Sequence, residues 1–382
     1  MRGSLVRSPG MQALLGFSVL GFTGFCLTLA SLPVYAVAGG AAESTAGVVT
    51  TVFLVATIAV QTTVPALTAR FGLGPVLVAG LLAMGLPAPF YVLDDGVGWI
   101  SGLSAVRGAG FAVLTVLGAT LAARVAPPER RGESVGLYGL AIAVPNLLAV
   151  PAGVALVLDG HVGWLAWLAA SPVLAVFLVP RLVRSVGPEP AAGPVGTRRA
   201  AVRAALAPSV VLFVVTMAGG GMVTFLPIER PDGALATVAL LVFGGTMAAT
   251  RWRAGVLADR LAGSWLLPLA LVVAAAGLVL TAVGLNTAAA WVVVGAGVFG
   301  AGYGAAQNLT LVAAFARAGE GGTTTVSAIW NASFDAGTAV GALVLGLLAA
   351  GIGLDRTYVV VAVLLAAAVP LASAAARVAV RP

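Results

Sequence analysis

The sequence predicts an all-α membrane protein, and three observations support this prediction: high apolarity, few charges and long uninterrupted apolar runs. Of the 382 residues, 60% are hydrophobic and 9% are charged, and the mean hydropathy is +1.08. A soluble domain carries about 25% charged residues. Apolar segments of about 20 residues are long enough to cross the hydrocarbon layer as helices. The chain is therefore expected to span the bilayer several times.

Apolar runs broken by charged residues, glycine or proline divide the chain into twelve predicted transmembrane helices. The first run is too long for the core of a cleaved signal peptide, so we expect it to remain as the first helix. The predicted spans are residues 11–38, 47–69, 75–93, 98–123, 134–158, 163–180, 207–228, 234–250, 264–284, 288–315, 323–350 and 357–377.

The arginines predict the orientation of the chain in the membrane. All 20 basic residues are arginine, and nearly all of those outside the spans fall in alternate loops. The positive-inside rule assigns those loops, and both termini, to the cytoplasmic side of the plasma membrane. The predicted inner loops contain Arg2, Arg7, Arg70, Arg124, Arg130, Arg131, Arg181, Arg184, Arg198, Arg199, Arg203, Arg251, Arg253, Arg260, Arg317, Arg377 and Arg381, whereas the outer loops contain Arg230 and Arg356.

The predicted helices form two groups of six. We expect an N-terminal bundle over residues 1–180, a basic cytoplasmic linker rich in Pro and Gly over 181–206, and a C-terminal bundle over 207–382. The halves repeat, since Arg107-Gly-Ala-Gly-Phe-Ala in span four corresponds to Phe299-Gly-Ala-Gly-Tyr-Gly in span ten. Such parallel repeats place a substrate cavity between the halves, near the middle of the membrane.

Two charged residues are predicted to lie inside the spans, Asp335 in span eleven and Arg107 in span four. A charge at that depth costs several kcal/mol unless it faces protein or water, so intramembrane ionisable residues are functional candidates. Asp335 is interpreted as a proton-exchanging carboxyl or a binder of cationic substrate, or else as a structural carboxylate bonded to neighbouring polar groups. Arg107 has the same two interpretations, and a pair between Arg107 and Asp335 is a third possibility.

Several polar and aromatic residues of the spans are candidate cavity residues. An amide in a membrane helix also serves as a hydrogen-bonding contact between helices, and an aromatic residue also serves in packing. The candidates are Gln61, Phe111, Tyr138, Asn146, Tyr303, Gln307, Asn308, Trp330 and Asn331.

The composition excludes several other kinds of site. One cysteine, Cys26, and one histidine, His161, provide neither a disulfide nor a zinc cluster, so no metal or cofactor is expected. The net charge of +7 follows from loop arginines that set the topology, so nucleic acid is not expected as a partner.

The loop that follows span eight carries a recognisable motif. Gly255-Val-Leu-Ala-Asp259-Arg260 resembles the gate motif between the second and third helices of each half in the major facilitator superfamily. The first-half copy around Arg70 has Ala69 where the motif has Asp. The resemblance extends over the whole chain and includes Arg107 as the family's fourth-helix arginine. It implies the family's fold, with Asp259, Arg260 and Arg70 as a cytoplasmic gate against the start of span five.

Span five resembles the antiporter motif of drug and metabolite exporters within that superfamily. It is rich in glycine and contains Pro145 and Pro151, although Val150 stands where the motif has Gly. The resemblance favours a monomeric, proton-coupled secondary transporter in the lipid bilayer that exports small amphipathic molecules. Uptake of a sugar or other polar metabolite is an alternative, and a sensor or assembly protein on the same scaffold is an alternative of another class. The sequence contains no pattern typical of an enzyme.

Overall fold

The computed structural model describes residues 4–187, 195–229, 234–261, 264–318 and 322–377, and within these ranges the chain is helical with short connections. The helices are α1 (Pro9–Leu29), α2 (Ser31–Ala38), α3 (Glu43–Gln61), α4 (Val64–Phe71), α5 (Leu73–Gly85), α6 (Val97–Val125), α7 (Arg131–Leu158), α8 (Val162–Leu168), α9 (Pro172–Ala175), α10 (Val179–Val186), α11 (Val195–Glu229), α12 (Ala234–Leu261), α13 (Leu266–Asn286), α14 (Ala289–Ala318), α15 (Thr323–Ile352), α16 (Leu354–Ala367) and α17 (Val369–Ala376).

The predicted fold class is confirmed. Among the described residues, 11 helical segments are long and apolar enough to cross a membrane, and the bent pair α3 and α4 makes a twelfth if it is one span. The chain is thus an all-α membrane protein with eleven or twelve candidate transmembrane segments among the described residues, some of which consist of two or three consecutive helices. The first begins at a standard cap, where the Ser8 hydroxyl accepts a hydrogen bond of 3.3 Å from the Met11 N–H and Pro9 occupies the first turn.

The second and eighth spans differ although their sequences correspond. The second is bent by 53° between Gln61 and Val64, where Pro65 cannot donate to the carbonyl of Gln61 and its ring clashes with it. Gly255 occupies the corresponding position of the eighth span, and α12 continues unbroken to Leu261. The sequence prediction ended this span at residue 250, so it was too short.

The predicted linker is partly helical. Helix α11 begins at Val195 and continues into the seventh span, because the alanine-rich run from Ala200 to Ala205 favours helix. Residues 188–194 of the predicted linker lie outside the described residues.

Backbone contacts divide the chain into two compact units. The first comprises residues 1–126 and 141–193, and the second comprises residues 127–140 and 194–382. The beginning of α7, which the sequence analysis assigned to the N-terminal bundle, therefore belongs by its contacts to the second unit.

In the first unit, α3 and α5 pack on α6. Gly108 lets α6 lie directly against the carbonyl group of Phe53, a contact that leaves no room for a Cβ atom. The hydroxyl of Thr57 donates a hydrogen bond of 3.1 Å to the carbonyl of Gly108. The ring of Phe111 stacks on Phe25 with a centroid distance of 4.2 Å. Close backbone packing through glycine is typical of membrane helices.

In the second unit, α12 and α13 pack on α14, and α11 packs on α15. Gly300 lies against the carbonyl group of Phe243 in the way that Gly108 lies against Phe53. The hydroxyl of Thr246 donates a hydrogen bond of 2.9 Å to the carbonyl of Gly297. The repeat seen in the sequence thus has the same helix contact in both units.

Candidate functional site

The end of α12 contacts the first turn of α7 through the side chain of Asp259. Its Oδ1 accepts a hydrogen bond of 2.9 Å from the Gly132 N–H, and its Oδ2 accepts one of 2.7 Å from the Glu133 N–H. The first N–H groups of a helix have no partner within the helix, and the helix dipole makes this end positive. A carboxylate from one helix therefore caps another helix, within the second unit.

A second charged contact supports this cap. Arg130, just before α7, forms an ion pair with Glu133, with hydrogen bonds of 2.8 Å from Nε and 3.0 Å from Nη2. The arginine is also an electrostatic neighbour of Asp259. Two acidic groups and one guanidinium therefore meet at the start of α7.

The two other predicted gate residues are placed differently. Arg260 and Arg70 are both exposed, and the guanidinium of Arg70 lies 5.2 Å from the centre of the Phe71 ring. Ala69 carries no group that could cap a helix. The gate role of Asp259, Arg260 and Arg70 stays a prediction.

Next to the Asp259 contact, α7 and α12 pack against each other through glycines. Gly132 lies against the backbone of Gly255, and a Cβ atom on Gly136 would lie 2.9 Å from the Cα atom of Trp252. The side-chain amide of Asn308 on α14 donates a hydrogen bond of 3.4 Å to the carbonyl of Gly132. Of the candidate cavity residues, Asn308 thus contacts the start of α7.

Arg251 was missed by the sequence analysis. It was assigned to an inner loop, and this assignment is wrong because α12 continues through Arg251 to Leu261. The side chain is 8% exposed, and its electrostatic neighbours are Tyr138 and Tyr303. The internal repeat could have located it, since the alignment of Ala69 with Asp259 also aligns Gln61, which the analysis placed inside a span, with Arg251.

Polar and aromatic residues of α14 lie beside Arg251. Tyr303 is buried, and the side chain of Gln307, one helical turn later, is its electrostatic neighbour. Its ring packs against Phe243 at 5.4 Å and against Phe299 at 5.6 Å. Tyr138, Tyr303 and Gln307 are thus brought together with Arg251.

Asp335 lies on α15 within the same unit. Its side chain is partly buried, and it is an electrostatic neighbour of Tyr303. One turn earlier, Asn331 donates a hydrogen bond of 2.8 Å to the carbonyl of Ser327. Asp335 thus lies beside the polar group formed by Tyr303 and its neighbours.

Trp330 fixes α15 against α14. Its Nε1 donates a hydrogen bond of 3.1 Å to the hydroxyl of Thr310, and its ring stacks on Phe334 at 5.9 Å. The residue is buried, so its contacts are those of a helix-packing side chain.

Arg107 in the first unit has a complete set of partners. Its Nε donates to the carbonyl of Met84 at 2.9 Å, its Nη2 to the carbonyl of Gly24 at 2.7 Å, and its Nη1 to the hydroxyl of Tyr91 at 3.4 Å. The side chain is 0% exposed. These contacts connect α1, α5 and α6, as expected of a structural arginine.

Three further candidates have distinct environments in the first unit. Gln61 is buried, and its amide donates a hydrogen bond of 3.4 Å to the hydroxyl of Thr115. Phe111 is buried among phenylalanine rings. Asn146 is exposed. The residues on which the geometry converges are therefore in the second unit, at Arg251, Tyr138, Tyr303, Gln307 and Asp335.

Comparison with known proteins identifies the fold. The sequence profile of the Major Facilitator Superfamily matches residues 13–335. A crystal structure of a Major Facilitator Superfamily transporter, FucP, in the outward conformation is similar with a TM-score of 0.76 and 14% identity, covering 99% of this chain and 100% of that one. The human organic anion transporter MFSD10 (TETRAN) is similar with a TM-score of 0.76 and 16% identity, covering 95% and 99%.

A second structure of FucP, described as the E. coli fucose:proton symporter, has a TM-score of 0.72 and 13% identity over 97% of this chain and 98% of that one. Comparison with curated proteins finds no significant sequence match. At these identities the structural similarity concerns the fold alone.

Proposed function

The chain belongs to the Major Facilitator Superfamily, whose members include the transporters above, and on this premise we propose that it is a proton-coupled secondary transporter. It exports small amphipathic molecules or metabolites by alternating access. It acts as a monomer in the plasma membrane with both termini in the cytoplasm. Substrate, protons and the lipid bilayer are its partners.

The observation that supports proton coupling is the position of Asp335. Its carboxyl group is partly buried in α15 and is an electrostatic neighbour of Tyr303, which in turn is an electrostatic neighbour of Arg251. A carboxyl group that exchanges protons in a membrane helix next to a second ionisable group is suited to linking proton movement to substrate movement. Asp335 is the proton-exchanging residue of this proposal.

The cap on α7 is the proposed cytoplasmic gate. The contacts of Asp259 with Gly132 and Glu133 stabilise the closed arrangement, since each helix-terminal charge interaction is worth about 0.3–1 kcal/mol, or more when partly buried. Energies of this size can be broken and re-formed in each transport cycle. Opening requires the carboxylate to leave the start of α7.

Transport in reconstituted vesicles tests the proposal. Purified protein in liposomes with an imposed pH gradient should move an amphipathic probe against its concentration gradient, and an uncoupler should abolish this movement. Asp335→Asn should transport without coupling or not at all. Asp355→Asn is the matched control, because Asp355 lies at the start of α16 and is bound by the side-chain amide of Asn286 at 3.0 Å. Undiminished, pH-coupled transport by Asp335→Asn would remove that residue from the mechanism.

Uptake of a sugar or another polar metabolite is the second candidate, and the shared fold with the fucose:proton symporter favours it. The same vesicles separate the two. Export predicts that proton movement into the cell drives substrate outwards, whereas symport predicts that both move in the same direction. A protein that moves none of a panel of amphipathic and sugar probes, under either gradient, would instead support a sensor or assembly role.

A further inference from the structure

We propose that Arg251 binds the acidic group of the transported molecule, so that the substrates are amphipathic organic anions, carboxylates or sulfonates. The inference rests on the proposed transport function, and it specifies the substrate class of the same site.

Arg251 has no countercharge among the residues that the structure describes. Arg251 is 8% exposed, and its Nε is buried without a hydrogen-bond partner. Within the described part of the chain, no acidic side chain forms an ion pair with Arg251 at 4.0 Å or less. Tyr138 and Tyr303, the electrostatic neighbours of Arg251, offer hydroxyl groups rather than a carboxylate. Burying a charge without a partner is unfavourable in free energy. An anion that pairs with this guanidinium would offset much of that unfavourable free energy.

Arg251 differs from Arg107 in its hydrogen bonds. That guanidinium is also buried, but each of its nitrogen atoms donates a hydrogen bond within the first unit. The same chain therefore satisfies a buried arginine where its role is structural. Arg251 lacks such a set, and planar guanidinium groups bind carboxylates with two parallel hydrogen bonds.

Helix α7 covers the guanidinium of Arg251 by direct packing. Gly139 of α7 lies directly over it, and a Cβ atom there would lie 2.5 Å from the Nε and 2.6 Å from the Cδ of Arg251. Arg251 precedes Asp259 on α12 by about two helical turns, or ~12 Å at 1.5 Å per residue. The guanidinium is therefore covered by the same stretch of α7 that Asp259 caps, and it becomes accessible to an anion when that contact opens.

The surroundings specify an amphipathic anion. The rings of Phe243, Phe299 and Tyr303 form a buried aromatic cluster, with Phe243 and Phe299 stacked at 5.5 Å. Gln307 adds a buried Oε1 without a hydrogen-bond partner. One charged group beside an aromatic cluster and an amide matches a molecule with one acidic group and an apolar body.

Binding of matched probes to the full-length protein tests the inference. Each trio has one carbon skeleton with a carboxylate, a carboxamide or an amine, for example 4-phenylbutyrate, 4-phenylbutanamide and 4-phenylbutylamine. Binding is measured by thermal shift in detergent and by equilibrium binding in phosphatidylcholine vesicles. The affinity for each carboxylate should be at least about tenfold higher than for the corresponding amide, as expected for a charge-assisted pair.

Three variants assign that preference to the residue. Arg251→Gln should remove the preference for carboxylates, and Arg251→Lys should retain part of it. Arg253→Gln is the matched control, because it removes an exposed arginine two residues along the same helix and should keep the full preference. Size-exclusion profiles and melting temperatures without probe establish that each variant is folded.

Three outcomes would overturn the inference. These are the absence of carboxylate preference in every trio of the wild-type protein, an unchanged preference in Arg251→Gln, and loss of probe binding when phosphatidylglycerol replaces phosphatidylcholine, which would assign the guanidinium to a lipid headgroup. Carboxylate binding without vesicle transport would keep the anion site and reject the transport function. Transport of amines that is unaffected by Arg251→Gln would keep the transport function and reject the anion site.

Discussion

Asp259 Oδ2 lies 2.7 Å from the backbone nitrogen of Glu133, although 126 positions separate the two residues in the chain. The carboxylate caps the first turn of α7 from the end of α12. This contact is favourable because the first N–H groups of a helix have no partner within the helix. This cap acts with the glycine contacts between α7 and α12 to hold the part of α7 that covers Arg251.

Removal of the Asp259 carboxylate should weaken the closed arrangement. Asp259→Ala leaves the N–H groups of Gly132 and Glu133 without this acceptor, at a cost of about 1 kcal/mol for a lost cap. We expect slower turnover in the vesicle assay. Asp159→Ala, at an exposed acidic residue, is the control. Equal turnover of Asp259→Ala and the wild type would contradict the gate.

Introducing an acid at the corresponding position of the first half should not reproduce that loss. Ala69 is exposed. The bend between Gln61 and Val64 changes the direction of the helix that carries it, whereas α12 has no such break. Ala69→Asp should therefore transport at the rate of the wild type, measured in the same vesicles. A loss as large as that of Asp259→Ala would show that the two positions act alike.

Arg107 should contribute to stability. Arg107→Met removes three donors, and hydrogen bonds to charged groups contribute about 1.5–3 kcal/mol each in mutational series. We expect a clear decrease in the melting temperature of the purified protein. Arg181→Met, which removes an exposed arginine in the same unit, should have the melting temperature of the wild type. A normal melting temperature together with lost transport would instead assign Arg107 to substrate or proton movement.

Glycine contacts between helices should be intolerant of a methyl group. Gly341 on α15 lies against the backbone of Met217 on α11, so Gly341→Ala forces the helices apart at a cost of about 1–3 kcal/mol. Gly245 on α12 has open space around its Cβ position. Gly245→Ala should keep the melting temperature of the wild type, whereas Gly341→Ala should lower it. Equal melting temperatures would show that α11 and α15 can separate without loss.

The sequence alone determined the class of the protein, and its twelve predicted spans agree with the eleven or twelve candidate segments among the described residues. The cost of leaving backbone groups unpaired in lipid forces apolar runs of this length into helices, so composition and length are sufficient. The arginine pattern predicted the orientation of these helices in the membrane, and the internal repeat predicted two groups of six. The glycines of the repeat also matched between halves, because close helix contacts require them at fixed positions.

Tertiary structure decided which polar side chains meet. The sequence placed Arg251 in a loop because an arginine usually ends an apolar run, and only the continuation of α12 under α7 shows that it is buried. Likewise, Asp259 and Glu133 are distant in sequence, and no local pattern specifies their distance. The hydropathy of a segment depends only on residues that are neighbours in the sequence. The pairing of charges depends on which helices pack together in the fold.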